Sequence, residues 1–343
     1  MDDFEKLLGN AESGKLVARE ILELSRFEET HALMEVAARL RDEGHQSAIS
    51  YSRKVFIPLT HLCRDVCHYC TFAQVPRKLT SPYLNPEEVL KIAQDGAEAG
   101  CKEALFTLGD KPELRYKAAR DGLKDLKQES TLSYLKDMAK MVFDETGLFP
   151  HLNPGLMDAA EFRELREVSI SMGIMLESSS LRLTQKGMPH HGSPDKIPER
   201  RMETLIFAGE AKVPFTSGIL IGIGETRQER IESLLALHEI HSIHGHVQEI
   251  IVQNFRAKPD TLMADAPEPD LNELLWTIAM ARIIFGPAMN IQAPPNLSPG
   301  VLGRIVDSGI NDWGGVSPVT PDFVNPEAPW PHLSNLASET ANT

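Results

Sequence analysis

A beat in the sequence constrains this chain more than any single residue does. From about residue 55 onward, short apolar runs rich in β-formers alternate with polar loops and amphipathic stretches. The runs expected as strands are 55–60 (VFIPLT), 101–108 (CKEALFTL), 148–152 (LFPHL), 169–177 (SISMGIMLE), 213–223 (VPFTSGILIGI), 247–254 (VQEIIVQN), 289–293 (MNIQA) and 311–316 (NDWGGV). Helix start signals stand between them. Asn85, Pro86, Glu87 and Glu88 give an N-cap, an N1 proline and first-turn acids, and Gly100 closes that helix. Asp158, Pro198, Thr226, Asp270 and Ser298 are expected to open later ones. Strand–helix alternation demands parallel strands joined by crossovers, and eight such units suit a (β/α) TIM-type barrel, complete or nearly so. Residues 1–50 carry apolar residues at helical spacing through Leu16 to Leu40. The expected organisation is an N-terminal helical extension over 1–50, the α/β barrel over 51–335 and a polar tail over 336–343.

Barrels of this kind carry their chemistry at the C-terminal ends of the strands. The unusual polar residues fall there: Thr60 and His61, Gly109 and Asp110, His151 and Asn153, Glu177 and Ser178, Gly222 to Glu225, Gln253 to Arg256, and Gln292. Amides at such a mouth can read a planar ligand edge by paired donor and acceptor. His151, Asn153, Gln253, Asn254, Arg256 and Gln292 are therefore the candidate substrate contacts. Arg256 and Lys258 read equally well as structural ion-pair partners.

The formal charge is -14, from 49 acidic and 35 basic residues, which disfavours nucleic acid and anionic membrane surfaces as partners. The best apolar stretch, Trp276 to Phe285, is too short to span a bilayer and contains Arg282. The acidic start, Met1 to Glu5, lacks the charge pattern of a secretory signal, so a cytoplasmic address is expected.

Of four cysteines, three fall within eight residues, as Cys63-x3-Cys67-x2-Cys70 directly after the first expected strand. So clustered a set points to metal rather than to a disulfide scaffold. A four-iron cubane ordinarily takes four thiolates, so three on one loop leave one iron open for chemistry. The alternative is a structural zinc held by these thiols with His61 or His68, though zinc knuckles favour a second cysteine pair downstream. Cys101 reads as a small buried hydrophobe. His238, His241, His244 and His246 read as a solvated helix face rather than a metal site, and His190 with His191 as a loop.

The C-x3-C-x2-C spacing, with Tyr69 just before the last cysteine, resembles the signature of the radical S-adenosylmethionine superfamily. That resemblance implies a 4Fe-4S cluster on Cys63, Cys67 and Cys70, with S-adenosylmethionine on the open iron and cleaved to a 5′-deoxyadenosyl radical. It further implies that Asp110 meets the cofactor's amino group, that Glu177 meets its ribose, that the 218–226 segment, with Gly222 and Gly224, borders its adenine, and that Tyr69 contacts the cofactor. Here 107–110 (TLGD) stands for the commoner Gly-Gly-Glu, and His61 stands where asparagine is usual.

Longer blocks narrow the resemblance: 58–65 (PLTHLCRD), 151–155 (HLNPG), 175–180 (MLESSS), 191–196 (HGSPDK), 213–226 (VPFTSGILIGIGET), 248–259 (QEIIVQNFRAKP) and 292–298 (QAPPNLS). From about residue 50 to about 335 the chain resembles deazaflavin (FO) synthases, specifically their ring-closing component. The resemblance implies conversion of a 4-hydroxybenzyl adduct of a ribityl-substituted aminouracil to FO with loss of ammonia, in coenzyme F-420 biosynthesis. It also implies a tyrosine-handling second component, separate or fused, and a low-potential electron donor. The competing readings are another radical enzyme, such as that tyrosine-handling partner or a menaquinone-route enzyme, and a zinc-stabilised scaffold protein.

Overall fold

The computed structural model describes residues 3–341; Met1 and Asp2 of the expected extension and Asn342 and Thr343 of the expected tail lie outside the described residues. Eight strands form one closed parallel barrel in sequence order: β1 (Ser50–Thr60), β2 (Glu103–Leu108), β3 (Phe149–Asn153), β4 (Ser171–Gly173), β5 (Phe215–Ile221), β6 (Val247–Asn254), β7 (Asn290–Gln292) and β8 (Asp312–Val316). Ahead of β1 run helices α1 (Asp3–Glu12), α2 (Ala18–Glu23) and α3 (Thr30–His45). Between strands lie α4 (Pro86–Glu98), α5 (Lys117–Asp125), α6 (Thr131–Thr146), α7 (Ala159–Leu165), α8 (Pro198–Glu210), α9 (Arg227–His244), α10 (Leu271–Phe285) and α11 (Leu302–Asp307). After β8 comes α12 (Leu333–Ala341), which buries Leu336. Among the described residues no helix is long and apolar enough to cross a membrane.

Strand alternation divides each strand's side chains between two environments. On β1, Val55, Ile57 and Leu59 are fully buried among the helices, while Lys54 and Phe56 face a cavity along the barrel axis. On β2 Ala104 and Phe106 face outward and Leu105 and Thr107 inward; on β6 Ile250 and Val252 face outward, and Glu249, Ile251 and Gln253 inward. Inner and outer layers are thus written by a period of two.

Most of the expected helix starts cap as their residue types dictate. Asn85 accepts from Glu88 N at 2.9 Å while Glu88 accepts from Asn85 N at 2.8 Å, a reciprocal box. Asp158, Thr226 and Asp270 cap α7, α9 and α10 through their side chains, and Pro198 takes the first position of α8. Ser298 does not open α11, which starts at Leu302; the residues before Ser298 form a 3-10 turn, Pro295–Leu297. The fourth strand is far shorter than 169–177. Ile174 N still donates to Thr216 O at 3.1 Å, but the chain then leaves the ladder: Leu176 N donates to the Ser217 hydroxyl at 3.3 Å before Glu177 re-pairs, bridging to Ile219. The C-terminal histidines of α9 are not a solvated face either. His238, His241 and His244 are half-buried and His246 is buried, because this end of α9 lies against α8 and β5.

Candidate active site

The strand ends and the loops that follow them enclose a cavity of about 350 Å³, and the three clustered cysteines line one end of it. Their loop follows β1 and is clipped from several sides. Arg64 N donates to Asp110 O at 3.1 Å, Cys70 N to Cys67 O at 3.2 Å, and Arg115 holds the Arg64 carbonyl at 2.9 Å. Gly109 at the end of β2 backs directly onto Leu62 and Cys63, with room for hydrogen only. His61 Nδ1 sits 3.0 Å from Phe72 O, so the ring spans the loop from before Cys63 to after Cys70.

All three thiols are half-buried. Burial, then the Asp65 charge, pushes the Cys63 thiol well up; burial pushes Cys67 up to about 12, although Lys196 opposes it. Ligation to iron therefore entails proton release from these thiols. The donor set fits a cubane. Each thiolate of a cubane serves its own iron, and among the described residues no three His, Cys, Asp or Glu side chains converge as a single-ion site requires. Cys101, the remaining thiol, is buried beneath the start of β2 and does not line the cavity.

Ten further candidates line the same cavity: Tyr69, Asp110, His151, Asn153, Glu177, Gln253, Asn254, Arg256 and Gln292 from the sequence reading, together with Lys258. Gly222 and Gly224 do not. Gly222 has φ +89° and its missing Cβ faces Pro269, while its N–H and that of Ile223 donate to Glu225 at 2.8 and 2.9 Å. These glycines shape the turn after β5, and Leu220 from that strand meets the cavity instead.

Asp110 is buried, bonded to Arg64 and to Leu156 N at 2.9 Å. Burial, reinforced by Asp195, raises its carboxyl to about 6. Glu177 adopts a left-handed φ of +64°, a conformation that costs a non-glycine residue energy and turns its side chain toward Lys196 at 2.9 Å. Burial opposes its ionisation, but Lys196 and Arg201 override that and hold its carboxyl below the usual range. Tyr69 Oη lies 3.0 Å from His190 Nε2, and burial lowers that imidazole to about 3, so it is neutral. The loop expected at His190 and His191 thus seats the aromatic residue of the cysteine motif.

His151 Nδ1 bonds Ser171 Oγ at 2.7 Å, and burial with the nearby Lys54 keeps the imidazole neutral. Gln292 differs from a free reader of a ligand edge. Its amide nitrogen already donates to Glu249 and, at 2.6 Å, to Asp312, which leaves only its oxygen for a ligand. Asn153, Gln253 and Asn254 make no side-chain hydrogen bond among the described residues and present free amides to the cavity. Arg256 is ion-paired with Glu268 at 3.3 Å on the rim.

Sequence reasoning missed a charged cluster beside Cys67. Asp195 pairs with Arg201 at 3.0 Å, and its N–H donates to Asp65 Oδ1. Burial raises Asp65 to about 8, helped by Asp195, which stays ionised because Arg201 and Lys196 outweigh its own burial. The 58–65 and 191–196 blocks held Asp65 and Asp195 without showing that they meet; Arg201, one turn into α8, had no signal.

Residues 57–237 match the radical SAM superfamily. The chain is 53% identical over 333 residues to an FO synthase of Mycobacterium tuberculosis, covering 92% of this chain and 39% of that protein. It is 52% identical over 317 residues to an FO synthase of Streptomyces coelicolor, covering 90% and 37%. The chain thus spans about two fifths of the length of these curated relatives. Over 288 residues it is 51% identical to a 7,8-didemethyl-8-hydroxy-5-deazariboflavin synthase of Methanopyrus kandleri, covering 84% of this chain and 86% of that one. Among solved structures, the FeFe-hydrogenase maturase HydG of Carboxydothermus hydrogenoformans shares the fold at a TM-score of 0.78 and 17% identity, covering 98% of this chain and 77% of its own. Methylornithine synthase PylB shares it at 0.68 and 21%, covering 90% and 85%.

Proposed function

The chain belongs to the radical SAM superfamily and, within it, to the 7,8-didemethyl-8-hydroxy-5-deazariboflavin (FO) synthase family, and from that membership we propose that it is the ring-closing enzyme. Its substrate in this reading is 5-amino-5-(4-hydroxybenzyl)-6-(D-ribitylimino)-5,6-dihydrouracil, converted to FO with release of ammonia during coenzyme F-420 biosynthesis. The observation that carries the reading is one cavity with three thiols at one end and unpaired amides on its wall.

Cys63, Cys67 and Cys70 would hold a 4Fe-4S cluster whose open iron takes S-adenosylmethionine. Bound together, these groups supply a 5′-deoxyadenosyl radical to abstract hydrogen from the substrate. The chain's residues hold and orient. Asp110, fixed by Arg64 and Leu156 N, offers its carboxylate to the cofactor's amino group. Glu177, ionised beside Lys196, receives ribose hydroxyls. Tyr69 borders the adenine, with Leu220 and Ile223 of the same apolar cluster; Gly222 and Gly224 serve by shaping the turn behind them. Asn153, Gln253 and Asn254 take the uracil edges, with Gln292 acting as an acceptor and His151 as a neutral imidazole deeper in the barrel. Arg256 closes the rim. A tyrosine-handling component supplies the adduct and a low-potential donor supplies the electron. Thiolates that would bind iron need a reducing compartment, which supports a cytoplasmic location.

The test is anaerobic reconstitution followed by reduction with S-adenosylmethionine and the adduct. Four irons and four sulfides per chain are expected, with fluorescent FO and 5′-deoxyadenosine as products, and Cys67→Ala should abolish both products. A colourless protein retaining stoichiometric zinc, or turnover that survives Cys67→Ala, would sink the assignment.

A further inference from the structure

Lys258, on the loop after β6, is only 4% exposed, yet its ammonium has neither an ion pair nor a hydrogen bond among the described residues. Its neighbour Arg256 has found Glu268, so the contrast is not a feature of the loop. Burying an ammonium without a partner costs several kcal/mol, by roughly the margin that makes unpaired buried lysines rare.

Of the three acids that act on Lys258, Asp322 and Glu177 are engaged elsewhere. Asp322 accepts from four donors: Val324 N at 2.9 Å, Asn325 N at 3.0 Å, Asn296 Nδ2 at 3.0 Å and Asn325 Nδ2 at 3.1 Å. Glu177 is paired with Lys196; Glu327, the strongest charged neighbour of Lys258, is exposed and forms no ion pair with it among the described residues. The amine therefore faces the cavity with all its donors unspent.

The cavity wall on this side is aromatic. Phe56 stacks on Trp330 with centroids 5.4 Å apart and planes 13° from parallel. Phe72 and Phe323 both pack on His61, at 4.6 and 6.0 Å. Phe56, Phe72, Phe323, Trp330 and Lys258 all line the one cavity, and Lys258, although it follows β6, lies within electrostatic reach of Asp322, next to Phe323, and of Cys70, two residues before Phe72. The free amides of Asn153, Gln253 and Asn254 come from the ends of β3 and β6. A flat aryl ring is matched by such a wall, and a single cation within it is matched by one oxygen on that ring.

We propose that Lys258 and the aromatic wall form an aryl-oxygen subsite, in which the lysine ammonium donates to the phenolic oxygen of the substrate's hydroxybenzyl group. This assignment rests on the FO synthase reading for the identity of the aryl group. It places the phenol on the β8–β1 side and leaves the uracil to the amides. An ammonium donating to a phenolic oxygen makes a charge-assisted hydrogen bond. Lys258 is thus a contact that orients the ring to be closed.

The test is equilibrium binding to the reconstituted holoenzyme with S-adenosylmethionine and no reductant, so that nothing turns over. Two ligands are compared, the hydroxybenzyl adduct and its benzyl counterpart lacking the phenolic oxygen. Wild type should bind the benzyl ligand about ten- to hundredfold more weakly, the range of one hydrogen bond to a charged group. Lys258→Met should weaken the adduct by a similar factor and bind both ligands alike, with iron content and S-adenosylmethionine affinity unchanged. Lys258→Arg should keep part of the discrimination. The subsite is overturned if Lys258→Met discriminates as wild type does, or weakens both ligands equally. It is also overturned if Lys258→Met loses S-adenosylmethionine affinity with discrimination intact, which would give the amine to the cofactor's carboxylate. Wild type that discriminates through Lys258 yet yields no FO on reduction leaves the subsite standing and removes the ring-closure reading. Wild type that binds neither ligand removes both.

Discussion

His246 shows how one side chain can set the acid tolerance of this protein without touching its chemistry. It begins the segment that becomes β6, packs 6.1 Å from Phe215 and is 8% exposed, with neither ring nitrogen partnered among the described residues. Burial, reinforced by His244 and His241, lowers its imidazole from 6.5 to about 4. Below pH 6.5 the unfolded chain takes up a proton that the folded chain refuses until about pH 4, so stability is full above that window and falls as pH drops through it. His246→Leu removes the titrating group while keeping the packing. Unfolding free energies from denaturant titration should match wild type at pH 7.5 and exceed it at pH 5, by on the order of 1–2 kcal/mol once its partial access to solvent is discounted. Parallel pH dependence in the two proteins would refute this. The histidine was visible in the sequence, but its burial was not. A short run of histidines at a helix end looks solvated until the neighbouring helix is known, just as Lys258 looks like an ion-pair partner until Asp322 is seen to be filled.

At the scale of elements, the loop that carries the thiols depends on the end of β2. Leu62 O and Cys63 Cβ stand where a side chain on Gly109 would go, the latter 2.6 Å from an added Cβ, and both belong to backbone or to a short rigid side chain. Gly109→Ala should therefore displace the cysteine loop rather than the strand. Iron retained after anaerobic reconstitution should fall by about half or more, as for a ligand set misplaced by about 1 Å. The far-UV spectrum and thermal midpoint of the apo-protein should stay near wild type. Full iron retention would show that the loop yields at no cost. The existence of the strands was legible throughout, because alternation and caps are local; β6 spans 247–254 as its pattern requires. What escaped was decided across strands. β4 contracts because the Ser217 hydroxyl takes the Leu176 N–H, and Gly222 and Gly224 mark a tight turn against Pro269 rather than a ligand shelf. The polar mouth was legible for the same local reason, since strand ends are marked; the Asp65–Asp195–Arg201 cluster depends on a helix one loop away and was not.

The whole barrel has its weakest seam between β7 and β8. β7 and β8 share a single registered pair, Gln292 with Asp312, where β5 and β6 share seven. Arg282, fully buried at the end of α10, compensates. It donates to Gly309 O at 2.9 Å, Gly286 O at 3.0 Å, Pro287 O at 3.1 Å, Met289 O at 2.6 Å and Asn311 Oδ1 at 2.7 Å. Asn311 in turn accepts from Ile291 N, and its carbonyl accepts from Ser50 N, so one guanidinium ties α10, β7, the start of β8 and the start of β1. The N-terminal helices lean on the same knot: Arg41 of α3 reaches Val306 O at 2.6 Å, and His45 Nε2 sits 3.2 Å from Met289 O. No carboxylate pairs with Arg282 among the described residues, and burial lowers its guanidinium to about 9, so it is held by oriented carbonyls alone. Arg282→Met fills the space but orphans several buried acceptors, which should cost on the order of 3–5 kcal/mol in urea unfolding. Arg282→Lys should recover little, because one ammonium cannot span acceptors arranged for a planar fork. Because this knot sits at the strand starts and the proposed chemistry at the strand ends, iron content of the folded fraction should be unchanged in both variants. A loss of iron at full folding would mean that the seam and the cysteine loop are coupled through the barrel.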